Sequence, residues 1–249
     1  MRMQCAVMSI LFVSSALAVD LQPGEIITMD GRSEQNFPQL AGQVVWSQDR
    51  PFTIENNFGF EMYKATLKLS VVFTQATNSY MFECRLSDPD AALPGQVKEI
   101  RWKGFLDQAT DCDWRTDLGL GDAVAMRAGR SLDGSEVTFG YNWWDMNPGG
   151  EELWLDPGEK TSLMYIHTLA PNYIEDAGTI TVELATGESW SVFAPAPGQT
   201  QADINGDGVV DGADLGMLIA DWGTTGPEAD LNFDGVVDGG DLGVLLAAW

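Results

Sequence analysis

Two stretches of the chain, DINGDGVVDGAD at residues 203–214 and DLNFDGVVDGGD at residues 230–241, crowd oxygen-bearing side chains into twelve positions each. Asp203, Asn205, Asp207, Asp211 and Asp214 stand at positions 1, 3, 5, 9 and 12 of the first, with Gly208 at position 6. Asp230, Asn232, Asp234, Asp238 and Asp241 repeat that spacing 27 residues later, with Gly235 at position 6. Carboxylates held about 5 Å apart repel by roughly 3 kcal/mol per pair at an effective dielectric near 20. A hard divalent cation offsets such repulsion. Side-chain oxygens at these five positions, a glycine at the bend and a backbone carbonyl at position 7 are the ligand spacing of an EF-hand-type calcium loop. The carbonyls here are those of Val209 and Val236. The expectation is two calcium ions, one per loop.

An apolar run follows each loop. Leu215, Leu218, Ile219 and Trp222 recur at i, i+3, i+4 and i+7, and Leu242, Leu245, Leu246 and Trp249 repeat the spacing. That periodicity predicts one helix after each loop, with an apolar face. Packed face to face, the two stripes would bury one small shared core, and valine at loop position 8 would let the paired loops share a short β-bridge. A unit of under 50 residues needs a staple, which metal supplies. An acidic, solvated tail accounts for the charge but not for the duplicated apolar stripe.

The duplicated loop–helix unit, with Asp rather than Glu at position 12, resembles a type I dockerin, a small all-α calcium-dependent module found at the C-terminus of many secreted carbohydrate-active proteins. The resemblance covers residues 203–249. It implies two calcium ions, an extracellular location and docking through the helices onto a cohesin-like or other surface receptor, with the eight apolar stripe residues as the contact. Dockerins often carry Ser or Thr at loop positions 10 and 11. Here Gly212-Ala213 and Gly239-Gly240 stand there and offer no hydroxyl. The DGADLGMLIADWG style is also similar to dockerin-like C-terminal domains of planctomycete-type secreted proteins, where the module serves as an anchoring or assembly tag.

Upstream, short period-2 runs separated by Gly, Pro, Asn and Asp clusters predict strands rather than helices. ATLKLSVVF (65–73) places Ala65, Leu67, Leu69, Val71 and Phe73 on one face, and SYMFECRL (79–86) does the same for Tyr80, Phe82, Cys84 and Leu86. VKEIRWKGF, EVTFGYNWW, SLMYIHTL, GTITVEL and SWSVF continue the pattern. The fold expected for residues 19–194 is an antiparallel β-sandwich or jelly roll. Pro195, Pro197 and Gly198 mark residues 195–202 as a linker to the acidic repeats. The segments LAGQVVWSQDRPFTIENNFGF, RSLDGSEVTF and FAPAPG are similar to secreted β-sandwich domains of unknown function that carry C-terminal sorting tags.

Catalytic signals in this β region are sparse, and no catalytic residue is assigned. His167 is the chain's one histidine and reads as a half-buried structural residue. The acid pairs Glu151–Glu152 and Asp111–Asp113 read as loop and turn acids rather than a glycosidase pair. Trp143 and Trp144, at a predicted strand end, offer an aromatic platform for a sugar ring. Cys84 and Cys112 are the cysteines left after removal of a signal peptide and are expected to pair in an oxidising compartment.

The first residues, MRMQCAVMSILFVSSALA, have the basic, apolar and small-x-small layout of a secretory signal peptide over residues 1–18. No further segment reads as a membrane span. A formal charge of −24, from 13 basic and 37 acidic residues, argues against nucleic acid as a partner. The resulting expectation is a secreted or cell-surface protein, a non-catalytic β-sandwich joined to a calcium-binding, dockerin-like module. The alternative is a carbohydrate-active enzyme or carbohydrate-binding component of a polysaccharide-degrading assembly.

Overall fold

The computed structural model describes residues 21–106, 108–141, 154–198, 202–205, 210–226, 228–232 and 234–249. The predicted signal peptide lies outside them. Alternating side chains on β-branched and aromatic-rich runs bury one face and solvate the other, and the chain is mainly β accordingly. The strands are β1 (Ile26–Thr28), β2 (Gln43–Glu55), β3 (Glu61–Thr74), β4 (Ser79–Ser87), β5 (Val97–Lys103) and β6 (Thr110–Trp114). They continue with β7 (Arg127–Arg130), β8 (Glu136–Gly140), β9 (Met164–Thr168), β10 (Tyr173–Leu184) and β11 (Ser189–Pro197). Two short helices follow, α1 (Gly212–Ala220) and α2 (Gly239–Ala248).

The strands form two antiparallel sheets, ordered β1-β7-β8-β5-β10-β11 and β2-β3-β4-β9-β6. One apolar core takes side chains from both, a sandwich-like arrangement. Leu67, Leu69 and Val71 of β3 and Phe82, Cys84 and Leu86 of β4 face it, at 2% exposure or less, as their alternation predicts. Ile100 and Trp102 of β5, Phe139 of β8 and Val182 of β10 meet them from the other sheet. Phe82 lies edge-on to Trp102 at 6.1 Å and to Phe105 at 5.6 Å, so aromatic contacts cross between the sheets. Each such pair adds about 1 kcal/mol beyond the area it buries.

One element departs from the sequence reading and another was not part of it, and both rest on the tolerance of edge strands for proline. β2 contains Pro51, yet it pairs with β3 along its length, from Gln43 opposite Phe73 to Glu55 opposite Glu61. Likewise the stretch expected to start a linker at residue 195 is the end of β11, with Ala196 opposite Ile174 and Pro197 opposite Tyr173. Both are outer strands of their sheets, where a missing N–H breaks no ladder. Trp102 Nε1 further donates to the Pro195 carbonyl at 2.9 Å, tying the segment to the core. Residues 199–201 of the expected linker lie outside the described residues.

The C-terminal repeats have a core of their own. Ala202, Leu218, Ala229, Leu231, Val237 and Leu245 are buried together, with Ile204, Val210, Leu215, Leu242 and Val244 packed against them. The bridge at loop position 8 takes a different form from the one expected. The Val237 carbonyl accepts Gly223 N–H at 2.8 Å and its N–H donates to the Thr224 carbonyl at 3.0 Å. The second loop is thus stitched to the turn that leaves α1, rather than to Val210 of the first.

Candidate metal centre

The second loop is organised by its own amides. Gly235, at position 6, has φ +91°, a conformation that only glycine adopts cheaply, and the chain reverses there. The Asp230 carboxylate accepts N–H bonds from Asp234 at 3.2 Å and Gly235 at 2.9 Å. Asn232 Oδ1 accepts from the same Asp234 N–H at 2.9 Å, while Asn232 Nδ2 donates to Asp234 Oδ2 at 2.9 Å. Asp234 Oδ1 in turn accepts from Val236 N–H at 3.0 Å. The side chains of positions 1, 3 and 5 are thereby drawn around one tight turn.

Asp241, at position 12, closes the loop from the helix side and is fully buried. Its Oδ1 accepts N–H bonds from Leu231 at 2.7 Å and Asn232 at 3.1 Å, and its Oδ2 accepts from Asp238 at 2.7 Å. Burial on its own would raise the carboxyl pKa, but these three amides, with the backbone N–H of Asp241 itself, outweigh it and hold the group below its usual range. Asp238, at position 9, caps α2 by accepting Gly240 N–H at 2.7 Å, which completes a capping box with Asp241.

The first loop repeats this arrangement at the positions described. Asp211 accepts Ala213 N–H at 2.7 Å, and Asp214 accepts from Asp211 at 2.8 Å and from Asn205 at 3.1 Å. Asp214 is as buried as Asp241. Asp203 stands at the start of the loop, while Asp207 and Val209 lie outside the described residues. Among the described residues, no three His, Cys, Asp or Glu side chains gather as a metal-holding group. The carboxylates face the loop's amides instead. The donor set nevertheless fits a hard ion: carboxylate, amide and carbonyl oxygens in a loop bent by a left-handed glycine.

The apolar stripes divide in two. Leu218 and Leu245 are fully buried and belong to the small core rather than to a partner face, while Leu215 and Leu242 are half-buried against it. Ile219 (58%), Trp222 (47%), Leu246 (55%) and Trp249 (58%) remain exposed. A stripe four residues wide exceeds what two short helices can cover in each other, and its C-terminal half stays in solvent.

No protein-family model matches this chain, and none of the curated proteins does. Among the described residues no helix is long and apolar enough to cross a membrane.

In the β region the expected disulfide is corrected. Cys84 and Cys112 are both buried, free thiols. Strand β9 separates them, since β4 and β6 pair with its opposite edges, Cys84 with Met164 and Cys112 with Ile166. Two strand spacings are about 9–10 Å, beyond the reach of a disulfide. His167 is completely buried rather than half-buried. Its Nε2 lies 3.1 Å from Thr77 Oγ1 and 3.3 Å from Ser79 Oγ, and burial lowers its pKa to about 4.

Asp111 and Asp113, expected in a turn, are instead buried on β6, where they hold Arg32. Arg32 Nη1 is 2.7 Å from both Asp111 oxygens and its Nε is 3.2 Å from Asp113. Arg115, 1% exposed, binds Glu34 at 2.7 Å and Asp117 at 2.9 Å. This network was missed by sequence reasoning; its signal was the odd placement of polar residues at alternate strand positions in TDCDWR. Trp143, Trp144, Glu151 and Glu152 lie outside the described residues.

Proposed function

We propose that this protein is an exported β-sandwich carrying a C-terminal, dockerin-like module that binds two calcium ions and attaches the sandwich to a partner protein. The observation that carries the reading is the duplicated unit at residues 203–214 and 230–241. Each copy joins an oxygen-rich loop to a helix through a buried position-12 aspartate, Asp214 or Asp241, which serves both the loop and the helix cap.

In this reading Asp203, Asn205, Asp207, Asp211 and Asp214, with the Val209 carbonyl, hold one ion. Asp230, Asn232, Asp234, Asp238 and Asp241, with the Val236 carbonyl, hold the other. The ion supplies charge neutralisation: it removes the mutual repulsion of the loop carboxylates and so favours the compact module. Ile219, Trp222, Leu246 and Trp249 then form the face offered to a cohesin-like or other surface receptor. Because Gly212-Ala213 and Gly239-Gly240 carry no hydroxyl, contact at that face is apolar and aromatic.

Calorimetric titration of calcium into the metal-free protein, compared with Asp203→Ala and Asp230→Ala variants, tests the reading. Two binding events in the parent and one in each single variant support it. Equal heats in all three proteins would contradict it.

A further inference from the structure

Residues 31–40 leave the sandwich core at Met29, bridge the end of β6 through Arg32 and pass onto the outer face of the β2-β3-β4-β9-β6 sheet. Gly31 N–H donates to Asp113 at 2.9 Å, Arg32 N–H to the Trp114 carbonyl at 2.9 Å, and Thr116 N–H to the Arg32 carbonyl at 2.9 Å. Farther along, Arg115 grips the segment twice, through Glu34 at 2.7 Å and the Leu40 carbonyl at 3.1 Å. The apolar part of the contact is small: Leu40, with Phe37 beside it, packs on Val72, Met81 and Tyr165.

What the segment covers is mostly charge. Asp111, Asp113, Glu83 and Arg115 are each 4% exposed or less. Burying ions is costly, and their pairing only partly offsets the lost hydration. The cover is also imperfect, since buried Glu83 Oε1 has no hydrogen-bond partner and its nearest cation is Arg115 Nη1 at 3.6 Å. Lifting residues 31–40 would return these groups to water and leave Met29 in the core. Separating the two sheets would instead expose Leu67, Phe82, Trp102 and their neighbours, which water penalises. Opening at the segment therefore costs less than separating the two sheets.

We infer that residues 31–40 are a strap that opens as a unit while the sandwich stays folded, and that Arg115 is its latch. The open form bares a strip of acidic and phenolic side chains, Glu83, Asp111, Asp113 and Tyr165, along one sheet face.

Hydrogen exchange with mass-spectrometric readout on the full chain tests this. In the parent protein, peptides spanning Gly31 and Arg32 are expected to exchange at least tenfold faster than peptides of β3, β4 and β5. Glu34→Gln, at the solvent edge of the network, should speed the strap several-fold further and leave those three strands unchanged; Arg115→Gln should do so more strongly. Exchange of the strap at the rate of the core strands in the parent would overturn the proposal. So would acceleration of β3, β4 and β5 alongside the strap in Glu34→Gln, or failure of Arg115→Gln to fold, because either places the strap in the core's cooperative unit.

Discussion

The Asp241 carboxylate reaches back nine residues to accept the Asn232 backbone N–H at 3.1 Å, from a position inside the first turn of α2. One buried side chain thus fixes the geometry of a loop and the start of the helix that leaves it. Removing it strands three N–H groups, those of Leu231, Asn232 and Asp238. Asp241→Ala should destabilise the C-terminal unit by about 3 kcal/mol, the scale of losing several buried hydrogen bonds. Circular dichroism near 222 nm, with calcium present, is the check: helical signal should fall while the β-sheet signal persists.

Gly235 gives a subtler prediction. Among the described residues, no atom beyond its chain neighbours lies within 4 Å of where a Cβ would stand, so a side chain there meets conformational strain. Gly235→Ala should cost about 1–2 kcal/mol through the left-handed backbone alone. Calcium affinity of the second loop should drop about tenfold or more, and that of the first should not. Calorimetry resolves the two sites.

His167 makes stability depend on pH in a defined direction. Its folded-state pKa is held near 4, below the ordinary value of 6.5, because burial disfavours the imidazolium. Between those values the unfolded chain takes up a proton that the folded chain refuses. The contribution is therefore complete above pH 6.5 and is lost as pH falls toward 4, on the order of 3 kcal/mol in total. Glu83 and Asp113 work in the opposite sense, since burial raises their pKa and favours the fold below it. Melting curves of the parent and His167→Gln at pH 7.5 and pH 4.5 isolate the histidine: the parent should lose more stability on acidification than the variant does.

Reduction should leave the sandwich untouched. A Cys84–Cys112 bridge would contribute several kcal/mol and its loss would lower Tm by many degrees. With both thiols free and separated by β9, Tm should be the same with and without dithiothreitol. A drop on reduction would contradict the assigned strand order.

Legibility in the sequence tracked how local the cause was. The alternation of Leu67, Leu69 and Val71 against Lys68 and Ser70 is a local pattern, and it placed β3 with its correct face inward. The loop spacing and the helices after it were equally local. β2 and the end of β11 were hidden because Pro51, Pro195 and Pro197 are breakers by composition, and only the sheet order shows that these strands lie at edges. The separation of Cys84 from Cys112 depends on β9 passing between them, a fact about topology. Arg32 meets Asp111 across 79 residues, a contact that no local pattern encodes. The apolar stripes were legible as faces, but which half is core depended on how much one short helix can cover.

The most direct test of the account is calcium binding by the C-terminal unit within the full chain. Calorimetric titration of calcium into metal-free protein, followed by far-ultraviolet circular dichroism, is predicted to give two bound ions per chain and a gain in helical signal. No binding at millimolar calcium, with the helical signal unchanged, would contradict it.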